Sequence, residues 1–355
     1  MKILFQIPSL ESVYAAKFIY LGYRDAFTRL GHDVRPLTSA DNCEAVLKEF
    51  DPDIFVTSLN SYSFKFLDLE VLKSHRAKGM VMFTQIRAWL KQNDQYGGSD
   101  LQHEDALVRL IKDNLAGDVY YHWLEQEDPL MEGFTKETGY PWHTILLAAN
   151  TDMYYPDYSE SYKADICYVG SLLPTKRAFI DAHVKPLFKN YNVKVYGSDW
   201  TTSNRLLGYV QKAGQYFNID MLKKVRKLSL ALEDERKVYT SSTISLNIHE
   251  DHQRRYGSDF NERTLKIIAS KGFEICDNVR VLRKYFKEDE LVIAQDKKDW
   301  FDKIDYYIKN PEKREAIIEN GYKVVCRDHT YDKRVEQILS IYSKFKGTKH
   351  AMSNM

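Results

Sequence analysis

The chain has 355 residues, 44% of them hydrophobic and 28% charged, with a formal net charge of +1. That length exceeds one ordinary core and points to two domains of roughly 100–200 residues each. The near-zero charge excludes a global field that would draw the whole chain to nucleic acid or to an anionic membrane.

The chain enters a strand at once, Lys2 to Ile7, and Pro8-Ser9 breaks it. Ser12 to Leu30 predicts a helix, because Ala15, Ile19, Tyr23, Ala26 and Leu30 share one face. Gly31 is its expected stop. A strand at His32–Pro36, a helix at Cys43–Phe50 and a strand at Asp53–Thr57 follow. A helix at Leu67–Lys78 and strands at Gly79–Thr84, Val119–Trp123 and Thr144–Leu147 continue the alternation, which reads as one doubly wound parallel sheet. Residues 91–100 are polar and read as a loop near a cleft, and Asn150–Lys163, aperiodic and holding Pro156, reads as a linker.

A second set begins with a strand at Asp165–Val169 and a turn at Gly170-Ser171. A helix at Lys176–Asn190, a strand at Val193–Tyr196 and helical insertions over 201–238 come next. Lys223, Lys224, Arg226 and Lys227 form a local basic cluster, a solvated face or a patch. A strand at Ser242–Ile248, helix 261–270, strand 273–276, helix 280–287, strand 291–294 and helix 298–309 lead to closing helices at Pro311–Asn320 and Asp332–Lys346. The reading is thus α/β, with two Rossmann-like parallel-sheet domains, 1–155 and 160–330, facing a cleft, then a C-terminal helix, 331–347, and a frayed tail, 348–355.

Cys43, Cys167, Cys276 and Cys326 are far apart, with no CxxC pair, and read as reduced residues of a cytosolic chain rather than a metal site. The sequence has no signal peptide and no apolar run of about 18 residues, so a cytoplasmic location is expected, with peripheral membrane association left open. The 25 Tyr suit half-buried surfaces on which sugars and bases stack, though biased genome composition would enrich them too.

The most telling stretch is Asp259–Asp277, a polar loop, a short helix opening with Asn261, Arg263 and Thr264, then a glycine and a buried strand. Free N–H groups and a cation at one helix start suit a phosphate or a ribose. Several pieces occur in order: Tyr168-Val169-Gly170-Ser171 with Lys176-Arg177, Tyr196-Gly197 with Trp200, and Leu246-Asn247-Ile248-His249. Asn261-Glu262-Arg263-Thr264-Leu265-Lys266, Lys271-Gly272 and His329-Thr330-Tyr331 with Arg334 complete the set, preceded by Leu146–Asn150 and Tyr155-Pro156. This ordered set resembles GT-B glycosyltransferases, and within them the bacterial and phage group related to the spore-maturation protein CgeB.

The resemblance implies a nucleotide sugar, a UDP-sugar foremost, held by the second domain, no metal or other cofactor, and a C-terminal helix crossing back to the first domain. The leaving diphosphate needs preset cations and N–H donors. Lys176, Arg177 and Arg263 are the candidates for it, with Gly170 and Ser171 giving close backbone approach, unless Lys176 and Arg177 are an ordinary helix-surface pair and Arg263 a helix cap or ion pair. Asn261, Thr264, His249 and Tyr196 complete the donor set; Asn261 also suits an N-cap, and Tyr196 and Trp200 also suit core packing. Lys266 stands where many relatives carry Glu, and a Lys cannot accept ribose hydroxyls. Its role passes to Glu262, to Asp259 or to nothing, or Lys266 touches phosphate. In the first domain Gln6 to Ser9, Asn60, Arg87 and His122 lie at strand ends, and His122 is the candidate base, with a structural His as the alternative. The acceptor is expected to be a glycan, a lipid-linked carbohydrate or a small molecule. The alternatives are a modified DNA base, sugar-nucleotide epimerisation, and binding without catalysis.

Overall fold

The structure, a computed structural model, describes residues 1–10, 15–89, 105–217, 219–223, 225 and 230–353. Most of the basic cluster, Lys224, Arg226 and Lys227, and the polar run 91–100 lie outside the described residues, as does the side chain of Lys223. Two compact units divide the chain, Met1–Asn150 with His329–Met355, and Thr151–Asp328.

The first unit is built on six parallel strands: β1 (Lys2–Gln6), β2 (Asp33–Leu37), β3 (Ile54–Ser58), β4 (Val81–Gln85), β5 (Val119–His122) and β6 (Trp142–Thr144). Their order is β2-β1-β3-β4-β5-β6. Each central strand is an apolar run because both faces are covered, and Ile3, Ile54, Val56, Val81 and Phe83 form the core with Tyr23 and Phe27 of the helix Ala15–Arg29. Side-chain caps start the connecting helices where the sequence offers Asn or Asp. Asn42 accepts from the Ala45 amide, and Asp68 accepts from those of Glu70 and Val71.

The final helix, Tyr331–Ser353, belongs to this first unit. A bridge joins Thr330 to Ala149. Tyr331 lies edge-on to Tyr23 with ring centres 4.9 Å apart. It also fills the space above Gly22, where an added Cβ would stand 2.2 Å from the ring. Arg334 donates to the Leu146 carbonyl at 3.1 Å, and Arg29 pairs with Asp332 at 2.8 Å. The His-Thr-Tyr and Leu-Leu-Ala-Ala-Asn pieces of the sequence therefore meet as a structural clasp. The helix does not stop at Gly347 but runs on to Ser353, so the tail expected to fray is helical over most of its length.

The second unit carries five parallel strands: β7 (Ala164–Val169), β8 (Val193–Tyr196), β9 (Ser242–Asn247), β10 (Glu274–Asp277) and β11 (Val292–Ala294). Their order is β11-β10-β9-β7-β8, with Ile166, Tyr168, Ile244, Leu246, Ile275 and Trp300 in the core. Among the elements that differ from the sequence reading are two helices. The helix expected to reach Asn190 ends at His183 and continues as a 3₁₀ turn over Lys185–Lys189, because Pro186 has no N–H to give. The helix from Pro311 passes Gly321 and reaches Asp328, since Gly321 lets the helix lie against the Glu290 carbonyl. The segment read as a linker is tied to this unit. Tyr154 donates to Glu235 at 2.6 Å, and Arg236 pairs with Asp157 at 2.9 Å while lying over the Tyr155 ring. No helix among the described residues is long and apolar enough to cross a membrane.

Candidate functional site

In the second unit the chain leaves β7 to one side for β8 and returns past it to β9. The carboxyl ends of β7 and β9 therefore flank a topological switch point, where open parallel sheets gather ligands. Lys176, His249, Asn261, Arg263 and Thr264 converge on the ends of β9 and β10 or the turn after β7.

Arg263 opens the helix Arg263–Ala269 and is half-buried. Its Nη1 donates to Asn247 Oδ1 at 2.9 Å, and its guanidinium lies 5.7 Å over the Tyr168 ring. It forms no ion pair among the described residues. Asn247 is fixed in that pose because its Nδ2 donates to Thr264 Oγ1 at 2.9 Å and to Glu274 Oε1 at 2.8 Å. Thr264 also donates to Glu274 Oε1 at 2.9 Å. Glu274 is buried, which pushes its carboxyl up to about 7 against the two hydrogen bonds that pull it down. Asn261 Oδ1 accepts from the Arg263 amide at 3.1 Å, which holds the start of the helix.

Lys176, only 4% exposed, reaches across to β9. Its Nζ donates to the Ile248 carbonyl at 3.0 Å and pairs with Glu250 at 2.9 Å. Burial and the charge of Arg263 bring its ammonium down to about 8, with Glu250 pulling the other way. Lys176 and Arg263 thus lie within electrostatic reach of each other, while Glu250 pairs with Lys176 and the charges of Glu235 and Glu262 act on Arg263.

His249 is fully buried at the end of β9. Its Nδ1 lies 2.6 Å from Asp277 Oδ1, and its backbone amide donates to the same carboxylate at 3.0 Å. Arg254 donates to the His249 carbonyl at 2.6 Å and to Asp277 at 3.2 Å. Burial pushes the Asp277 carboxyl up, but His249 and Arg254 outweigh it and hold the group below its usual range. With Nδ1 committed to Asp277, His249 Nε2 is left buried and without a partner among the described residues.

Other expected site residues have contacts within the fold. Gly170 is required by its neighbours: an added Cβ would stand 2.6 Å from the Tyr168 hydroxyl. Gly197, at φ +147°, presses against the Gly170 carbonyl, which also accepts from Trp200 Nε1 at 2.8 Å. Ser171 shares a hydrogen bond with Ser198. Tyr196 lies edge-on to Tyr162, and Trp200 lies edge-on to Tyr168. Arg177 is exposed, one position round the helix from buried Lys176, and does not join it. Lys266 is not offered to a phosphate. It is buried, pairs with Glu262 at 2.7 Å and Glu235 at 3.8 Å, and sits over the Tyr154 ring.

His122 is corrected as a general base. It is 1% exposed, and its Nδ1 accepts from the Leu124 amide at 2.8 Å. Burial and the nearby Arg87 charge bring its pKa down to about 3, which leaves too weak a base for work near neutral pH. Glu274 and Asp277 were missed by sequence reasoning. The available signal was a charge at each end of an otherwise apolar strand, Glu274-Ile275-Cys276-Asp277. Among the described residues, no group of three His, Cys, Asp or Glu could hold a metal ion.

The family model described as glycosyl transferase-like matches residues 176–340. No curated protein matches the sequence. Among solved structures, the sucrose-phosphate synthase of Thermosynechococcus elongatus aligns over 98% of this chain and 99% of its own, at 12% identity and a TM-score of 0.63. An alpha-glucosyltransferase in complex with UDP aligns over 96% and 99%, at 11% identity and 0.65. The catalytic domain of starch synthase IV from Arabidopsis thaliana, bound to ADP and acarbose, aligns over 97% and 99%, at 12% identity and 0.62. The likeness is one of fold: two parallel-sheet α/β units of the GT-B kind.

Proposed function

We propose that the chain is a glycosyltransferase that takes a hexosyl or pentosyl group from a nucleotide sugar, a UDP-sugar, and passes it to a carbohydrate acceptor. The observation that carries this reading is Arg263, a half-buried cation with no carboxylate partner among the described residues, beside buried Lys176 and the unpartnered Nε2 of His249. The acceptor hydroxyl attacks C1, the C1–O bond to the diphosphate breaks, the nucleoside diphosphate leaves with the electron pair, and the hydroxyl proton passes to the departing diphosphate. Arg263 and Lys176 counter the charge that develops on it, in surroundings where water screens little. His249 Nε2 touches the sugar or a phosphate oxygen, held in aim by Asp277. The match to the glycosyl transferase-like family and the UDP- and ADP-bound proteins of like fold support the same reading. In this proposal the side chains, rather than a metal ion, meet the diphosphate.

The test is a melting-temperature screen against UDP-, ADP- and GDP-sugars, followed by donor turnover with and without EDTA. Release of UDP that rises with an oligosaccharide acceptor supports the reading. An isomerised donor identifies an epimerase, and no stabilisation by any of the nucleotides overturns the reading.

A further inference from the structure

The helix Thr202–Tyr216 is turned inside out. Asn204, Gly208 and Gln211, spaced four and three apart, share one face, where Gly208 is buried and the other two are half-buried. Asn204 Oδ1 accepts from the Asp199 amide at 2.8 Å. The opposite face carries Leu206, Tyr209 and Tyr216, with Phe217 continuing the stripe just past the helix end. These four are 65%, 69%, 84% and 66% exposed. Met221 in the next turn is 76% exposed. A surface helix ordinarily does the reverse and buries its apolar stripe. A contiguous exposed stripe of large side chains marks an interaction surface.

The charge around it selects the partner. Residues 202–228 hold six of the chain's 51 Lys and Arg but only one of its 50 Asp and Glu, so the remainder of the chain is net negative. Lys212 is exposed beside the stripe, while Arg205 is half-buried and its Nε donates to the Asp199 carbonyl at 2.8 Å; the other four cations count only as charge in the sequence. Leu and aromatic rings on one side with cations flanking them is the make-up of a helix that lies in a bilayer interface, rings at the headgroup level and cations on anionic lipid. We infer that this helix is an interfacial anchor through which the chain binds an anionic lipid surface. The inference stands apart from the donor site and needs no assumption about it.

Vesicles of phosphatidylcholine alone, and of phosphatidylcholine mixed with phosphatidylglycerol, are sedimented with the full chain at low and high salt. Binding to the anionic vesicles should exceed binding to neutral ones by at least about tenfold and weaken with salt. The triple variant Leu206→Ser, Tyr209→Ser, Phe217→Ser should lose it while keeping the wild-type far-ultraviolet dichroism and melting temperature, since all three side chains are exposed. No vesicle binding by the wild type, or undiminished binding by the variant, overturns the inference. So does a wild type that elutes as a dimer and a variant that elutes as a monomer, which would assign the face to a second copy.

Discussion

Arg263 Nη1 donates to Asn247 Oδ1 at 2.9 Å, and the other end of that amide is tied to Thr264 and Glu274. The orientation of the cation thus depends on three buried polar groups. Asn247→Ala removes the anchor and leaves the Glu274 carboxyl short of a donor. The expected cost is about 1–3 kcal/mol of folding stability, read by urea unfolding, together with weaker donor binding. Unchanged stability and unchanged affinity would show that Asn247 holds nothing in place.

Lys176 gives opposite pH signatures for folding and for donor binding. Its folded pKa, about 8, lies below the unfolded value of 10.5. Between those two pH values the unfolded chain binds more protons, so folding stability rises with pH there, by at most roughly 3 kcal/mol. An anionic donor prefers the ammonium form, so donor affinity falls as pH rises past 8. Lys176→Met should flatten both limbs. Calorimetric affinities and urea midpoints across pH 7 to 10 check the pair, and a donor affinity that stays level in the wild type would remove Lys176 from the site.

Much of this was legible in the sequence. Apolar runs such as Ile54-Phe55-Val56 announced buried parallel strands, and the helix Cys43–Phe50 matched its periodicity because Asn42 caps it. The cluster of Lys176, His249 and Arg263 was also legible, since each follows a strand end or opens a helix. Gly170 has a second reason to be glycine that the sequence does not show: it makes room for the Tyr168 hydroxyl and the Gly197 turn. Glu274 and Asp277 could not be placed from one strand alone. Only the pairing of β10 beside β9, Cys276 opposite Asn247, brings them to their partners.

Lys266 looked like a position where a ribose contact had been exchanged for a cation. Its ion pairs with Glu262 and Glu235 give it a structural task. Lys266→Glu would gather three carboxylates beside the Tyr154 ring, so the variant should lose at least about 3 kcal/mol of stability. Tighter donor binding at undiminished stability, read by melting and calorimetry, would contradict this and restore the ribose reading.

His122 is neutral down to a pH of about 3, whereas an unfolded histidine protonates near 6.5. In that window the unfolded chain takes up the extra proton, so stability falls as pH drops from 6.5 towards 3, by at most roughly 5 kcal/mol. His122→Asn keeps an acceptor for the Leu124 amide and should make the acid limb of the unfolding curve shallower. It should leave turnover within about tenfold of wild type. A loss of about 100-fold or more in kcat would reinstate His122 as a catalytic group.

The central claim, that Arg263 meets the diphosphate of a nucleotide, is tested most directly by titrating UDP into the wild type and Arg263→Ala in a calorimeter, with folding checked by circular dichroism. The account predicts a loss of about 1.5–3 kcal/mol of binding free energy in the folded variant. An equal dissociation constant for the two proteins would contradict it.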